Sequence, residues 1–291
     1  MDKRKRAVNN SELRKLKQKE GSMKILVNGL RESAGKTTAT LGLYQWFKEH
    51  GKTYPLKPFA ANDYWYDHEV VQEGLKEGKL YGRDAKLLAD AAGERKDKIN
   101  QIHRLWGPKT IVGRGVNIGG ENRAMILDRV TEKNNIRLIV NSRVSVPGKT
   151  QKLFNTAQEV KKFSNISTLN DLTKKIHQPA IENGLKEFSE GDFLIIESYS
   201  DVAMPVHLDF DVVVTVEPGR AFITKGKRFT KAYSILSEKW EPYGREIGVK
   251  KIIKSLNPKT ISLQPSILDD LESIKSTYKK VFEGLRKDFL S

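Results

Sequence analysis

The residues best suited to chemistry lie in one run: Gly29, Leu30, Arg31, Glu32, Ser33, Ala34, Gly35, Lys36, Thr37 and Thr38. A polyphosphate is held by several backbone N–H groups aimed inward at the start of a helix, where the helix dipole also favours negative charge. Only glycine lets the chain come that close. Lys36 is then placed to reach the outer phosphates, and the Thr37 hydroxyl to ligate a magnesium ion held between them. The common spacing is G-x-x-x-x-G-K-[ST], whereas here Leu30 stands at the first glycine position and Gly29 lies one residue early. The plain alternative is a glycine-containing strand-to-helix turn in which GKT occurs by accident.

The flanking elements supply the context that such a loop needs. Lys24 to Val27 read as a buried strand. Ala39, Leu43, Trp46 and Phe47 recur at the i, i+4, i+7, i+8 spacing of a helix with a buried stripe. Further on, Asp192 to Glu197 (DFLIIE) is an apolar run bounded by acids. It reads as a central parallel strand whose last residue, Glu197, sits at the carboxyl edge of the sheet, where open α/β sheets bind ligands.

Glycine, five residues, then GKT is the spacing seen in dethiobiotin synthetase, and the chain resembles that family over roughly residues 23–230. The resemblance extends to the synthetase domains of cobyrinate amidases and to partitioning-type ATPases. TYPLKPF resembles the family's second strand ending in Lys-Pro, which implies that Lys57 stabilises charge on the transferred phosphate. GRDAKLLAD resembles a helix-opening segment that carries an aspartate near the metal. Asp84 is then a magnesium or water-shell ligand, or an ordinary first-turn acid favoured by the helix dipole. Glu197 matches the second metal-binding carboxylate, its alternative being a strand-end acid facing solvent, and Gly219 in VVVTVEPGRAF matches a turn glycine. The resemblance implies ATP (or GTP) and Mg2+ as cofactors. The cradle would be formed by Gly29, Arg31, Glu32, Ser33, Ala34, Gly35, Lys36, Thr37 and Thr38, the metal set by Thr37, Asp84 and Glu197, and the catalytic set by Lys36, Lys57 and Glu197. Where the family has a glycine-rich substrate loop, this chain has Ser198, Tyr199, Ser200 and Asp201. After Lys-Pro it has Phe59, Ala60, Ala61 and Asn62 in place of a serine and a glycine. The implied reaction is activation of a carboxylate or carbamate by phosphoryl transfer, on an anionic substrate other than the biotin precursor. Two alternatives stand beside it: a nucleotide-switched regulatory or assembly ATPase, and an RNA-directed kinase.

Composition is compatible with a homodimeric cytoplasmic enzyme. The 291 residues include no cysteine, which excludes disulfides, cysteine-ligated zinc and a cysteine nucleophile. No apolar stretch approaches the roughly 18 residues of a membrane span. The net charge is +16. Residues 1–22 carry 8 Lys/Arg against 3 Asp/Glu and read as a basic flexible extension, either an arm for nucleic acid or a solvated one. Residues 23–291 read as a single nucleotide-binding domain. Arg220, Lys225, Lys227, Arg228 and Lys231 form a second basic cluster. There Phe222 and Phe229 either stack on bases or pack a helix onto the sheet.

Asp63, Tyr64, Trp65, Tyr66, Asp67 and His68 follow Lys57 closely, and the spacing places their loop at the active edge. It would either cover a substrate, with Asp67 and His68 as acid and base, or be packed down by Tyr64 and Trp65 with Asp67 capping the next helix. Arg143 and Lys149 are substrate contacts on a loop or surface charge. Gly248 to Ile253 and Thr260 to Leu263 read as strands. Ser266 reads as the cap of a closing helix with Leu268, Leu271, Ile274, Tyr278 and Val281 inward. Apolar runs near residues 25, 55, 138, 195 and 213 predict an α/β fold with a mostly parallel central sheet and helices on both faces; with the resemblance, this implies a three-layer P-loop NTPase.

Overall fold

A computed structural model describes residues 21–116, 118, 122–205, 208–240, 247–266 and 270–289. The basic extension, apart from Gly21 and Ser22, and Leu268 lie outside them. In chain order the first half contains β1 (Met23–Gly29), α1 (Lys36–Phe47), β2 (Thr53–Leu56), β3 (Phe59–Asp63), α2 (His68–Lys76), α3 (Arg83–Ala92), α4 (Lys96–Ile99), β4 (Ile102–Pro108) and α5 (Lys109–Val112). The second half contains β5 (Arg123–Glu132), β6 (Asn135–Asn141), α6 (Gln151–Thr156), β7 (Glu159–Phe163), α7 (Ile166–Lys186), β8 (Phe193–Glu197), β9 (Val212–Glu217), β10 (Arg220–Lys225), α8 (Gly226–Trp240), α9 (Val249–Leu256), β11 (Lys259–Ser262) and α10 (Leu271–Phe289). The chain is α/β, with two mixed sheets. It forms two compact units, one from the chain up to Leu56 and from Phe188 onward, the other from Lys57–Glu187. No helix among the described residues is long and apolar enough to cross a membrane.

The first unit holds a six-stranded sheet in the order β11-β10-β9-β1-β8-β2. Its strands β2, β8, β1 and β9 are mutually parallel, while β10 returns antiparallel to β9 and β11 antiparallel to β10. The central strands are fully apolar at Ile25, Leu26, Val27, Ile195, Ile196, Val213 and Val214, all buried, as a strand covered on both faces must be. Helix α1 is buried nearly all round rather than along the single expected stripe, because α10 covers its outer side. The Trp46 and Phe282 rings stack at 4.9 Å, the Trp46 indole donates to the Lys275 carbonyl at 2.8 Å, and Phe47 meets Phe193 of β8 at 4.6 Å.

Several expectations at the C-terminal end are corrected. Residues 249–256 form a helix, with Val249, Ile252, Ile253 and Leu256 on its buried face at helical spacing. The last helix begins at Leu271 and is capped by Asp270, whose Oδ1 accepts from Ser273 N at 2.9 Å. Ile274, Tyr278 and Val281 are buried as expected, whereas Leu271 is exposed. Phe222 and Phe229 are buried, so they pack the fold and offer no stacking surface.

The second unit holds a five-stranded sheet in the order β3-β4-β5-β6-β7. The expected strand near residue 138 forms as β6, but it lies in this sheet rather than beside β1. It pairs antiparallel with β5 through a two-residue turn, in which Lys133 (φ 48°) and Asn134 (φ 71°) are both left-handed. One sheet face carries Leu105, Leu127, Leu138 and Val140 against Val71 and Leu75 of α2 and Leu153 of α6. The opposite face meets α7 and carries a charged cluster. There Arg104 forks onto buried Asp128 with two 2.8 Å bonds, and His177 of α7 lies 3.1 Å from the same carboxylate.

Candidate functional site

In the first unit, β1 delivers the chain at Gly29 into a loop that turns back on itself before α1. A Cβ on Gly29 would lie 2.8 Å from Ala34 Cβ, 3.1 Å from Lys36 Cγ and 3.3 Å from the Arg31 carbonyl oxygen. Glycine is therefore required here by close approach, and the loop wraps around this atom. Ala34, the sixth residue of the turn counted from Gly29, is the residue that such a Cβ would meet most closely. Gly35 precedes α1 in a left-handed conformation (φ 89°), open to glycine at no steric cost, and Ser33 is also left-handed (φ 52°). Arg31, Glu32 and Ser33 are exposed, Ala34 and Lys36 are buried, and Thr37 and Thr38 are half-buried. The Lys36 ammonium lies 3.5 Å from the Arg31 carbonyl, so its side chain curls over the loop that it follows.

The strand pairing sets Glu197 beside this loop. Val27 is opposite Glu197 in the β1–β8 register, and Ser198 N donates to the Val27 carbonyl at 2.8 Å. Glu197 is fully buried, which removes the solvent-facing alternative, and its Oε1 accepts from the Thr37 hydroxyl at 3.1 Å. A buried carboxylate and a threonine hydroxyl that share one point in space are a hard-oxygen donor pair of the kind magnesium takes. Among the described residues no group of three or more His, Cys, Asp or Glu side chains is placed to hold a metal ion.

Two residues outside the expected set position the segment after Glu197. Buried Asn28 donates to the Ala203 carbonyl at 3.0 Å and accepts from the Thr215 hydroxyl at 2.6 Å. Ser200, left-handed at φ 46°, donates to Glu32 Oε1 at 2.9 Å and so ties this segment to the loop. The only sequence signal for Asn28 is an amide set inside the apolar run ILVNGL, since a polar side chain at such a place must find partners. Gly219 occupies the β9–β10 turn with φ 86°, as its type suggests. Lys225, Lys227, Arg228 and Lys231 are exposed, and Arg220 pairs with Glu217.

Lys57 and Asp84 belong to the second unit and meet each other. Lys57 is buried, with a side chain only 4% exposed, and its ammonium lies 3.2 Å from Asp84 Oδ2 in the first turn of α3. Its backbone is pinned on both sides, Lys57 N donating to the Ile99 carbonyl and Asn100 Nδ2 to the Lys57 carbonyl, each at 3.0 Å.

The loop Asp63 to His68 corrects its expected place. Strand β3 separates it from Lys57, so the loop and the lysine stand at opposite ends of one strand. Asp67 heads α2 but spends its carboxylate on Asp63 N at 2.7 Å rather than on a helix cap, and Tyr64 packs on the core while Trp65 is exposed.

Fold and site together define an α/β protein with a glycine-bounded strand-loop-helix turn beside a buried carboxylate. No protein-family model and no curated protein matches the chain.

Proposed function

We propose that the chain is a magnesium- and ATP-dependent phosphoryl-transfer enzyme, of the three-layer P-loop type and resembling dethiobiotin synthetase. Its reaction is activation of a carboxylate or carbamate of an anionic small molecule other than the biotin precursor, with GTP as the alternative nucleotide. It is taken to act as a cytoplasmic homodimer. The observation that carries this reading is the 3.1 Å contact between the Thr37 hydroxyl and the buried Glu197 carboxylate at the mouth of the Gly29–Gly35 loop. Four adjacent parallel strands with the loop strand at their centre support it, because ligands gather at the carboxyl edge of such sheets.

The residues present fit a magnesium triphosphate. Gly29 keeps the loop free of a Cβ, the first turn of α1 begins with amides that have no intrahelical acceptor, and Thr37 and Glu197 offer oxygen ligands. In the proposed reaction a substrate oxygen attacks the γ-phosphorus and the bond to the β–γ bridging oxygen breaks, giving an acyl or carbamoyl phosphate and the nucleoside diphosphate. An amine then displaces phosphate. Lys36 neutralises charge on the transferred group, the principal task in such chemistry. Lys57 and Asp84 enter the proposal on the resemblance alone. The test is calorimetric titration of Mg-ATP and Mg-GTP into the native chain and into Lys36→Ala. Binding by the native chain that is lost in the variant is expected, and no binding of either nucleotide by the native chain overturns the proposal.

A second reading, a nucleotide-switched ATPase, draws on one specific path. Ser200 bonds to Glu32 in the loop, and Val249 N at the start of α9 bonds to the Asp201 carbonyl at 2.8 Å, so the loop is linked through Ser200 and Asp201 to that helix. An oligomer whose size differs between ATP and ADP favours that reading, and a constant size favours the enzyme.

A further inference from the structure

In the second unit, β3, β4, β6 and β7 run in one direction and β5 runs against them. The segments that follow β3, β4 and β6, and the start of β5, therefore share one edge of the sheet, and Lys57 stands at the other. On that shared edge the chain displays two large aromatics. Trp65 is 61% exposed and Tyr66 82% exposed. Their backbone is fixed rather than loose: both amides donate to Asp63 Oδ1, at 2.8 and 3.2 Å, and Tyr64 N donates to the Trp106 carbonyl at the end of β4 at 2.7 Å. Asp63 and Asp67 both accept the backbone N–H groups that fix the loop.

Three arginines gather along the same edge. The segment after α5 is tied across the ends of β5 and β6, with Ser145 N donating to the Val112 carbonyl at 2.8 Å. At Gly115 it comes so near that a Cβ would lie 2.5 Å from Val144 and 3.3 Å from Ala124. Arg114, Arg123 and Arg143 are the immediate chain neighbours of these three touching residues. All three are exposed, and none has a carboxylate partner among the described residues. The Arg123 guanidinium is held over the Trp106 ring, 4.8 Å from its centroid, and Tyr64 N bonds to that tryptophan's carbonyl.

We propose that this edge is a binding surface for single-stranded nucleic acid. Trp65 and Tyr66 would stack on bases, and Arg114, Arg123 and Arg143 would bind the phosphates. Stacking needs aromatic faces that no protein atom covers, and phosphate is matched by guanidinium forks. A duplex hides its base faces, so the partner is single-stranded. The chain's net charge of +16 favours approach of a polyanion at long range. This inference does not depend on the nucleotide-binding reading of the first unit.

The test uses the full chain and a labelled mixed-sequence RNA of about 12 nucleotides, followed by fluorescence anisotropy and tryptophan quenching at salt from about 50 to about 200 mM. Trp65→Ala with Tyr66→Ala should weaken binding about tenfold or more. Arg114→Gln, Arg123→Gln and Arg143→Gln together should reduce the salt slope by about 2, near 0.7 for each phosphate that is no longer neutralised. Unchanged melting temperatures, expected for exposed side chains, separate these losses from misfolding, and a variant with Lys3, Arg4, Lys5 and Arg6 changed to Gln serves as control. Binding that vanishes with the basic extension but survives the aromatic pair overturns the proposal. So does binding to phosphatidylserine vesicles or to polyglutamate with none to RNA.

Discussion

The Thr37 hydroxyl donates to the buried Glu197 carboxylate at 3.1 Å, across 160 residues of sequence. Nothing local brings them together: parallel pairing of β1 with β8 sets Val27 against Glu197, and the loop then returns Thr37 over the strand end. If this pair holds magnesium, Glu197→Gln keeps a hydrogen-bond acceptor for Thr37 and removes the charge. Losing even an outer-shell partner of a bound metal typically costs about 10- to 100-fold in metal affinity. Mg-ATP affinity in Glu197→Gln should therefore fall by roughly 10- to 100-fold, while magnesium-free ATP binds as well or better. Calorimetry with and without the metal reads both quantities.

Gly29→Ala should disturb the loop and the fold together. Its new methyl would stand 2.8 Å from Ala34 Cβ, so one of the two must move. Overpacking of this kind costs about 1–3 kcal/mol. A lowered melting temperature with weakened nucleotide binding is expected, and Gly35→Ala is the companion control, since no atom lies within 4 Å of its new Cβ and only its left-handed φ of 89° is strained. A larger effect at Gly35 than at Gly29 would show that backbone conformation, not close approach, sets the cradle.

Arg129 should tolerate no replacement. It is completely buried, and its guanidinium donates to the carbonyls of Leu80, Asn100 and Gln101, to the Thr131 hydroxyl and to Asn100 Oδ1. Burial pulls its pKa down to about 10, against Asp97 and Asp128, which raise it. Lysine has three donors and no planar fork, so Arg129→Lys leaves carbonyls unpaired in the core. The expected loss is about 3–5 kcal/mol by urea unfolding, and a change below about 1 kcal/mol, the worth of one ordinary hydrogen bond, would rule out this role.

His103 makes stability depend on pH. Burial, and then the nearby Arg129 charge, hold its pKa well below the ordinary histidine value, and among the described residues neither ring nitrogen has a hydrogen-bond partner. The folded protein keeps this ring neutral while the unfolded chain takes up a proton below about pH 6.5, so stability present above that pH is lost as the pH falls. Denaturation midpoints should drop between about pH 7.5 and pH 5. His103→Leu should flatten that dependence, and an unaltered slope in the variant would assign it elsewhere.

The acid limb has a second source. Burial pushes Asp97 up, but hydrogen bonds from Arg95 and Lys79 outweigh it and bring its pKa to about 2. Asp128 is also held below the carboxylate range, burial being outweighed by Arg104 and His177. Both pairs add stability above the unfolded carboxylate pKa of about 3.9 that is lost on further acidification. Asp97→Asn should therefore cost stability at neutral pH and little near pH 2, as read by thermal melts across that range.

Much of the first unit is legible in short stretches of sequence. The loop before Lys36 announces itself because close approach admits only Gly29 and a helix start needs a left-handed Gly35; these are steric rules that act within seven residues. DFLIIE reads as a buried strand for the same local reason. Helix α9 runs against the sequence expectation of a strand: its β-branched residues favour a strand, but Val249, Ile252, Ile253 and Leu256 have helical spacing, and packing of that apolar stripe prevails over propensity. The left-handed pair Lys133 and Asn134 carries only a weak hairpin signal, since lysine seldom takes that conformation.

What only the tertiary structure decided is partnership at long range. RLIV in β6 would suit either sheet, and its place beside β5 follows from that hairpin and from the apolar cluster it completes. Arg129 and Asp128 can be buried only because distant carbonyls and a guanidinium satisfy them. The sequence leaves Trp65 either packed down beside Tyr64 or free to cover a ligand, and the Asp63 bonds to the Trp65 and Tyr66 amides go with an exposed Trp65. Short-range sterics are written in the chain itself, whereas strand neighbours and buried charges are chosen by competition among distant segments, each balancing loop-closure entropy against burial and pairing.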